Sequence, residues 1–334
     1  MKKIFITDYF EECAIEKEIL SDKAEVICLN QKNEEKFPNE IEEADGILVW
    51  HSELTEKTFK KLKKCKAIVR YGVGYDNIDI KSANKFGIDV ANTPDYGIDE
   101  VADTTCAMIL VLARKIFLYN NKCQFYEKGW QENVLNENII DSTKRSNEHS
   151  LGIIGAGRIG SAVAMRMKSF KMKIGFYDPY VKSGYEKTLG VDRYDSLDNL
   201  IKKSTIISIN ATLNKETKGM VNKKFINKLT NHSILVNTAR GAIVDKLDTL
   251  YEGIKKEKLG GVGLDVLPDE PPLKSEKLIK SWKDKKNPIS NKILINPHAA
   301  YYSSRSVKEM RIKATENIFR SIKGLKLKNI IKVN

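Results

Sequence analysis

Cysteine is sparse and unpaired in this chain of 334 residues. Its five cysteines, Cys13, Cys28, Cys65, Cys106 and Cys123, are scattered, none forms a C-x-x-C pair, and their number is odd. A disulfide framework and a structural metal site are therefore not expected. No apolar run reaches the roughly 18 residues that a membrane span needs. The start, "MKKIFITDYFEECA", has two lysines, but acids follow too soon for a signal-peptide core. It reads as the first strand of a cytoplasmic protein. Internal repeats and low-complexity linkers are also missing. Acids are in deficit, 44 against 57 bases, for a formal net charge of +13. The excess is lysine spread along the chain. In "KTFKKLKKCK" at 57–66, helical spacing turns Phe59 and Leu62 inward and the lysines outward, as on a solvated surface. A lysine surface of this kind argues for attraction to small anionic substrates rather than for a nucleic-acid partner.

What is present is a core for two domains, with 41% hydrophobic residues. Strand-like and helical runs alternate almost throughout, the pattern of an α/β fold with parallel sheet. Residues 1–99 hold "KIFITD", "AEVICL", "GILVW", "KAIVRYG" and "GIDVANTP", a small doubly wound domain without a glycine fingerprint. One long apolar helix, "DEVADTTCAMILVLARKIFLYNNKCQFYE", is expected next. Residues 120–149 are polar and poorly periodic, as suits a connection or a subunit contact. The amphipathic "SVKEMRIKATENIFRSIKGL" near the end is expected to pack back on the first domain.

The stretch "LGIIGAGRIGSAVAMRMKSFKMKIGFYDPY" at 151–180 reads as strand, glycine turn, helix, strand and acid. Gly155, Gly157 and Gly160 supply G-x-G-x-x-G, and Asp178 ends the second strand. In such a unit the glycines allow a tight turn, close approach of a pyrophosphate and helix–strand packing. The helix N-terminus offers free N–H groups to phosphates. Asp178 would accept hydrogen bonds from the adenosine ribose.

Three further polar residues stand at the ends of expected strands: Arg240 in "LVNTARGAIVD", Glu270 in "GLDVLPDEPP" and His298 in "ILINPHAAYYS". Strand C-termini of open α/β sheets hold the ligand. Arginine can clamp a carboxylate at two points, histidine can hand over a proton, and a glutamate beside it favours the imidazolium. That set suits hydride transfer to a 2-oxo acid. Singly, each residue has an ordinary alternative: a turn cap, a surface acid, a satisfied core imidazole.

In order along the chain, "GAGRIG" with "YDPY", "LVNTARGAIVD", "GLDVLPDEPP" and "PHAA" resemble the signature segments of the D-isomer-specific 2-hydroxyacid dehydrogenases. "WHSELTE", "RYGVGYDNIDIKSA", "DEVADTT" and "NPHAAYYS" look most like the C-terminal-binding-protein branch and its bacterial relatives. The resemblance implies two doubly wound domains with a cleft between them: a Rossmann-type cofactor domain at 100–298, and a flavodoxin-like substrate domain built from 1–99 and 299–334. It also implies NAD as cofactor, a small 2-oxo or 2-hydroxy acid as substrate, and a homodimer with 120–149 as its arm. Arg240, Glu270 and His298 match the catalytic trio, and Arg158 and Ile159 the pyrophosphate contacts. Thr105 matches a contact near the nicotinamide. Ala211, Thr212, Asn214 and Thr217 flank the cofactor. Thr238, Ala239, Asp265 and Ala300 join the cofactor set, with Asp265 expected to hold the carboxamide. The N–H groups of Val73 and Gly74, with Arg70 beside them, match the cradle of the substrate carboxylate. His51 and Tyr301 match pocket-lining positions, with plain packing as the alternative. Asn210 stands where many members have histidine, Thr212 where many have proline, and Tyr301 where the nearest branch has tryptophan. A regulatory domain is not expected after residue 334, nor effector control of the long phosphoglycerate type. An NAD(H)-sensing interaction protein is the competing class of function.

Overall fold

The computed structural model describes residues 1–8, 12–124, 130, 139 and 142–332. The chain divides into two compact units: Met1–Gly97 with Tyr302–Asn334, and Ile98–Tyr301. These divisions differ from those expected at 99/100 and 298/299. Ile98 and Asp99 already belong to the helix Ile98–Ala113. At the other end Ala299 and Ala300 are bonded to Asp265, within the larger unit.

The smaller unit holds a parallel sheet of β1 (Lys2–Ile6), β2 (Ala24–Cys28), β3 (Gly46–Val49), β4 (Ala67–Arg70) and β5 (Asp89–Ala91), in the order β2-β1-β3-β4-β5. That is the flavodoxin-like order. β3, with Gly46, Ile47, Leu48 and Val49 all buried, forms its middle, as a strand covered on both faces must. The terminal helix Ser304–Ile322 packs within this unit: Ile318 lies so close to Gly46 that an added Cβ would sit 2.9 Å from it. Ser303 starts that helix by accepting the Ser306 N–H at 2.9 Å. The lysine-rich segment at 57–66 is helical only over Glu56–Phe59, although Phe59 and Leu62 are buried as its spacing demands.

In the larger unit β6 (Ser150–Ile154), β7 (Lys173–Tyr177), β8 (Asp192–Arg193), β9 (Ile206–Ile209), β10 (Ser233–Asn237), β11 (Leu259–Leu264) and β12 (Ile293–Ile295) form a sheet ordered β12-β11-β10-β9-β6-β7-β8. All its pairings are parallel. The order reverses between β6 and β9, which makes the crevice at their C-terminal ends the switch point where such sheets bind ligands. The expected single long helix is instead two, Ile98–Ala113 and Ile116–Cys123. Lys115 adopts a left-handed φ of 54°, which an α-helix cannot continue through. Half of the expected dimerisation arm at 120–149 lies outside the described residues. No described helix is long and apolar enough to cross a membrane.

Candidate active site

The chemistry-bearing residues of the larger unit follow the C-terminal edge of its sheet in strand order. His298 comes after β12, Asp265 and Glu270 after β11, Thr238 to Arg240 after β10, Asn210 to Thr212 after β9, Gly155 after β6 and Asp178 after β7. Parallel strands whose ends lie on one edge thus gather residues far apart in sequence.

At the β6–β9 switch point, Gly155 lies against Ala211, whose Cα would be 2.8 Å from an added Cβ. Gly160 permits the helix to pack on the turn, because a Cβ there would meet Gly155 O at 2.0 Å. Gly157 faces open space and precedes the helix Arg158–Lys168, whose start has no side-chain cap. Arg158 and Ile159 are its first residues, so its leading N–H groups point out of the turn. Asp178 Oδ2 accepts the Ala156 N–H and Oδ1 the Tyr180 N–H, both at 2.9 Å. An uncapped helix N-terminus, an open glycine and a carboxylate locked at the strand end fit a dinucleotide. Beyond β9, Thr212, Asn214 and Thr217 form one turn: Thr217 Oγ1 donates to Thr212 O at 2.7 Å, and Asn214 Oδ1 accepts the Thr217 N–H at 3.0 Å.

Nearer β12, Thr105 and Thr238 join through their hydroxyls at 2.7 Å, both buried. Arg240 donates from Nη1 to Ala239 O at 2.8 Å. Sequence reasoning missed Asn237, which is fully buried and holds this turn. Its Oδ1 accepts the Ala239 N–H at 3.0 Å and its Nδ2 donates to Arg240 O at 2.9 Å. A polar side chain closing the apolar strand "SILVN" was the available signal.

His298 Nδ1 lies 2.9 Å from Glu270 Oε2. Glu270 Oε1 also accepts the Leu267 N–H at 2.9 Å. Burial works against the Glu270 charge, but the bond and charge of His298, the Leu267 N–H and Arg240 outweigh it and hold its pKa below the usual value. His298 has φ of 56°, a strained conformation for a residue with a Cβ. The strain is held by Asp265: the His298 N–H donates to Asp265 O at 2.8 Å, and Asp265 Oδ1 accepts the N–H groups of Ala299 and Ala300 at 2.9 and 3.0 Å. Burial raises the Asp265 pKa against those two bonds and the His298 charge. Asp265 therefore shapes the histidine turn, a role its sequence position did not reveal. Thr104 Oγ1 donates to Ala300 O at 3.2 Å, and the Tyr301 ring meets the His298 ring edge-on at 6.2 Å.

In the smaller unit, Arg70 ends β4 and its guanidinium lies over Gly72, where an added Cβ would be 1.7 Å from Nη1. Three carbonyls here are engaged: Arg70 O accepts from Gly72 N–H and Thr93 Oγ1, Gly72 O from Thr93 N–H, and Val73 O from Asn92 Nδ2. The N–H groups of Val73 and Gly74 bond to none of the described residues. Two adjacent free N–H groups beside a guanidinium fit an anion. His51 follows β3, and its N–H donates to the buried Asp8 at 2.6 Å.

Residues 106–300 match the NAD-binding domain of the D-isomer specific 2-hydroxyacid dehydrogenases. The chain belongs to that family. C-terminal-binding protein 1 of Caenorhabditis elegans is 32% identical over 317 residues, 94% of this chain and 42% of that protein. D-3-phosphoglycerate dehydrogenase of Methanocaldococcus jannaschii is 30% identical over 334 residues, 99% of this chain and 59% of that protein. The chain thus spans less than two thirds of the length of either curated relative. Among solved structures, a D-lactate dehydrogenase from Aquifex aeolicus complexed with NAD and lactic acid is 32% identical, with a TM-score of 0.80 and 96% of each chain covered. The cofactor of this dehydrogenase-family chain is NAD.

Proposed function

We propose that this chain is an NAD(H)-dependent oxidoreductase that interconverts a 2-oxo acid and a D-2-hydroxy acid, as a cytoplasmic homodimer. Bound nicotinamide supplies the hydride chemistry. Arg240 binds the substrate carboxylate and polarises the carbonyl. The Val73 and Gly74 N–H groups, with Arg70, are also assigned to the substrate carboxylate, and His51 and Tyr301 each to its surroundings. With Nδ1 committed to Glu270, His298 presents Nε2 to the substrate oxygen, giving a proton in reduction and taking one in oxidation. Glu270 favours the charged imidazole and fixes its orientation.

The 2.9 Å bond between His298 and Glu270, in a strand-end cluster with Arg240, carries this reading. Its test is NADH oxidation against a panel of 2-oxo acids, ranked by kcat/KM, with sedimentation to read the assembly. Measurable turnover of at least one acid is expected. Tight NADH binding without turnover of any would favour the interaction-protein reading, which the likeness to C-terminal-binding protein 1 supports.

A further inference from the structure

We infer that Tyr71, Glu16 and Arg311 form a buried clamp that sets the position of the Tyr71–Gly74 loop, and with it the two N–H groups that receive the substrate carboxylate. The inference rests on the reading of Val73 and Gly74 as that cradle.

Tyr71 follows the last residue of β4 and is fully buried. Its N–H donates to Val49 O at 2.8 Å, and its hydroxyl donates to Glu16 Oε1 at 3.0 Å. Glu16 lies on the helix Ala14–Leu20 with no exposed surface. Both its oxygens are gripped by Arg311 of the terminal helix, Nε to Oε1 at 2.8 Å and Nη2 to Oε2 at 2.5 Å. Arg311 Nη2 also donates to Glu12 O at 3.0 Å. Burial, reinforced by Glu16, holds the Tyr71 phenol well above its usual pKa, so it stays a donor. Two helices and a strand thus converge on one phenol.

A buried Arg–Glu pair is a poor way to gain stability, since apolar residues of similar volume often do as well. What a two-point guanidinium–carboxylate contact fixes is geometry. The rigid phenol ring carries that fixed point to the start of the loop. The loop needs it, because Val73 is exposed and neither Val73 nor Gly74 has an N–H bond to a described residue. A cradle displaced by a fraction of an ångström binds its anion poorly. None of the three side chains is assigned a substrate contact, so all act as positioning residues.

Two variants test this. Tyr71→Phe removes the hydroxyl and leaves the ion pair. Glu16→Gln with Arg311→Met in one chain replaces the ion pair by neutral groups of similar volume. For each, KM and kcat for the best 2-oxo acid, the NADH dissociation constant, Tm and amide exchange at Tyr71 and Thr93 are measured. For Tyr71→Phe we expect KM to rise about tenfold, kcat to stay within about threefold, NADH affinity to hold, and both amides to exchange faster. The double variant should keep its Tm and still raise KM. Wild-type KM and exchange in both variants, with only Tm altered, would make the clamp a purely structural contact and overturn the inference. If the wild-type chain reduces no 2-oxo acid, the reaction reading fails by itself, and the exchange rates still decide whether the loop is clamped.

Discussion

Each unit pairs a histidine with a carboxylate, and the two pairs are built differently. In the larger unit Glu270 Oε2 meets His298 Nδ1 at 2.9 Å, and both side chains are about one-third exposed, 39% and 32%. In the smaller unit Asp8 is 2% exposed, and its Oδ2 stands 3.9 Å from His51 Nδ1, too far for a hydrogen bond. Asp8 instead accepts the Trp50 N–H at 3.1 Å, the His51 N–H at 2.6 Å and the Thr7 hydroxyl at 2.5 Å. Its charge fastens the loop after β3 by its backbone. A carboxylate saturated by backbone donors is a clamp, while one that keeps an oxygen for a ring nitrogen can serve proton transfer. Residue types alone do not distinguish the two.

The hardest test of that contrast is to remove each ring. His298→Asn should lower kcat/KM for 2-oxo acid reduction by about a thousandfold, within the range for loss of a general acid. His51→Asn should cost less than about tenfold, mostly in KM. Comparable losses would erase the distinction. Asp178 sharpens it: two backbone N–H groups fasten it directly after β7, and in the proposed function it also holds a ligand, the adenosine ribose. NADH should therefore be preferred to NADPH by a factor of about a hundred or more in kcat/KM. Two charges about 4 Å apart repel by up to ~4 kcal/mol at an effective dielectric of 20. Equal use of both cofactors would remove Asp178 from the ribose. Arg240→Lys should cut kcat/KM by about a hundredfold, equivalent to ~2.7 kcal/mol, with NADH binding unchanged. A lysine variant with ordinary turnover would show that no two-point grip is needed.

The fingerprint glycines, Asp178 and the residues after each strand were legible because their signals are local: a spacing, an apolar run, a polar residue at its end. Sheet order then placed Arg240, Glu270 and His298 on one edge. What the sequence concealed depends on distance along the chain. Glu16 and Arg311 are 295 residues apart, and Asp8 and His51 are 43 apart, so no window joins them. Asn237 stands beside Arg240 but looked like one more strand residue, since its burial is a product of the sheet. Asp265 was expected at the nicotinamide, and its hold on the His298 turn became visible only once β11 and β12 lay side by side. The left-handed Lys115 that divides the long helix carries no local mark, for lysine is an ordinary helix former.

The smallest effect is also the most specific to the His298 pair. Glu270→Gln keeps the shape of the side chain and removes its charge. In the proposed reaction, reduction needs a protonated imidazole, because His298 would give a proton as the substrate oxygen gains electrons. A carboxylate 2.9 Å from the ring favours that form. Without that carboxylate, the basic limb of the pH profile for reduction should move to lower pH. Oxidation needs the neutral ring and should extend to lower pH in the variant. Stability offers a second reading with its own sign. The Glu270 pKa is lowered in the folded chain, so its ionisation stabilises the fold above the ordinary value of 4.5, and that contribution is lost as pH falls through the lowered one. The Tm gap between wild type and Glu270→Gln should therefore be full at neutral pH and narrow as pH falls below the ordinary value of 4.5. Asp8→Asn, measured beside it, should leave the basic limb of reduction in place, because Asp8 Oδ2 stands 3.9 Å from His51 Nδ1 and fastens backbone N–H groups instead. If both variants shift the limb equally, the long-range field of the protein sets it rather than the bond at Nδ1. If neither does, Glu270 is a clamp like Asp8, and the proton relay must be assigned elsewhere.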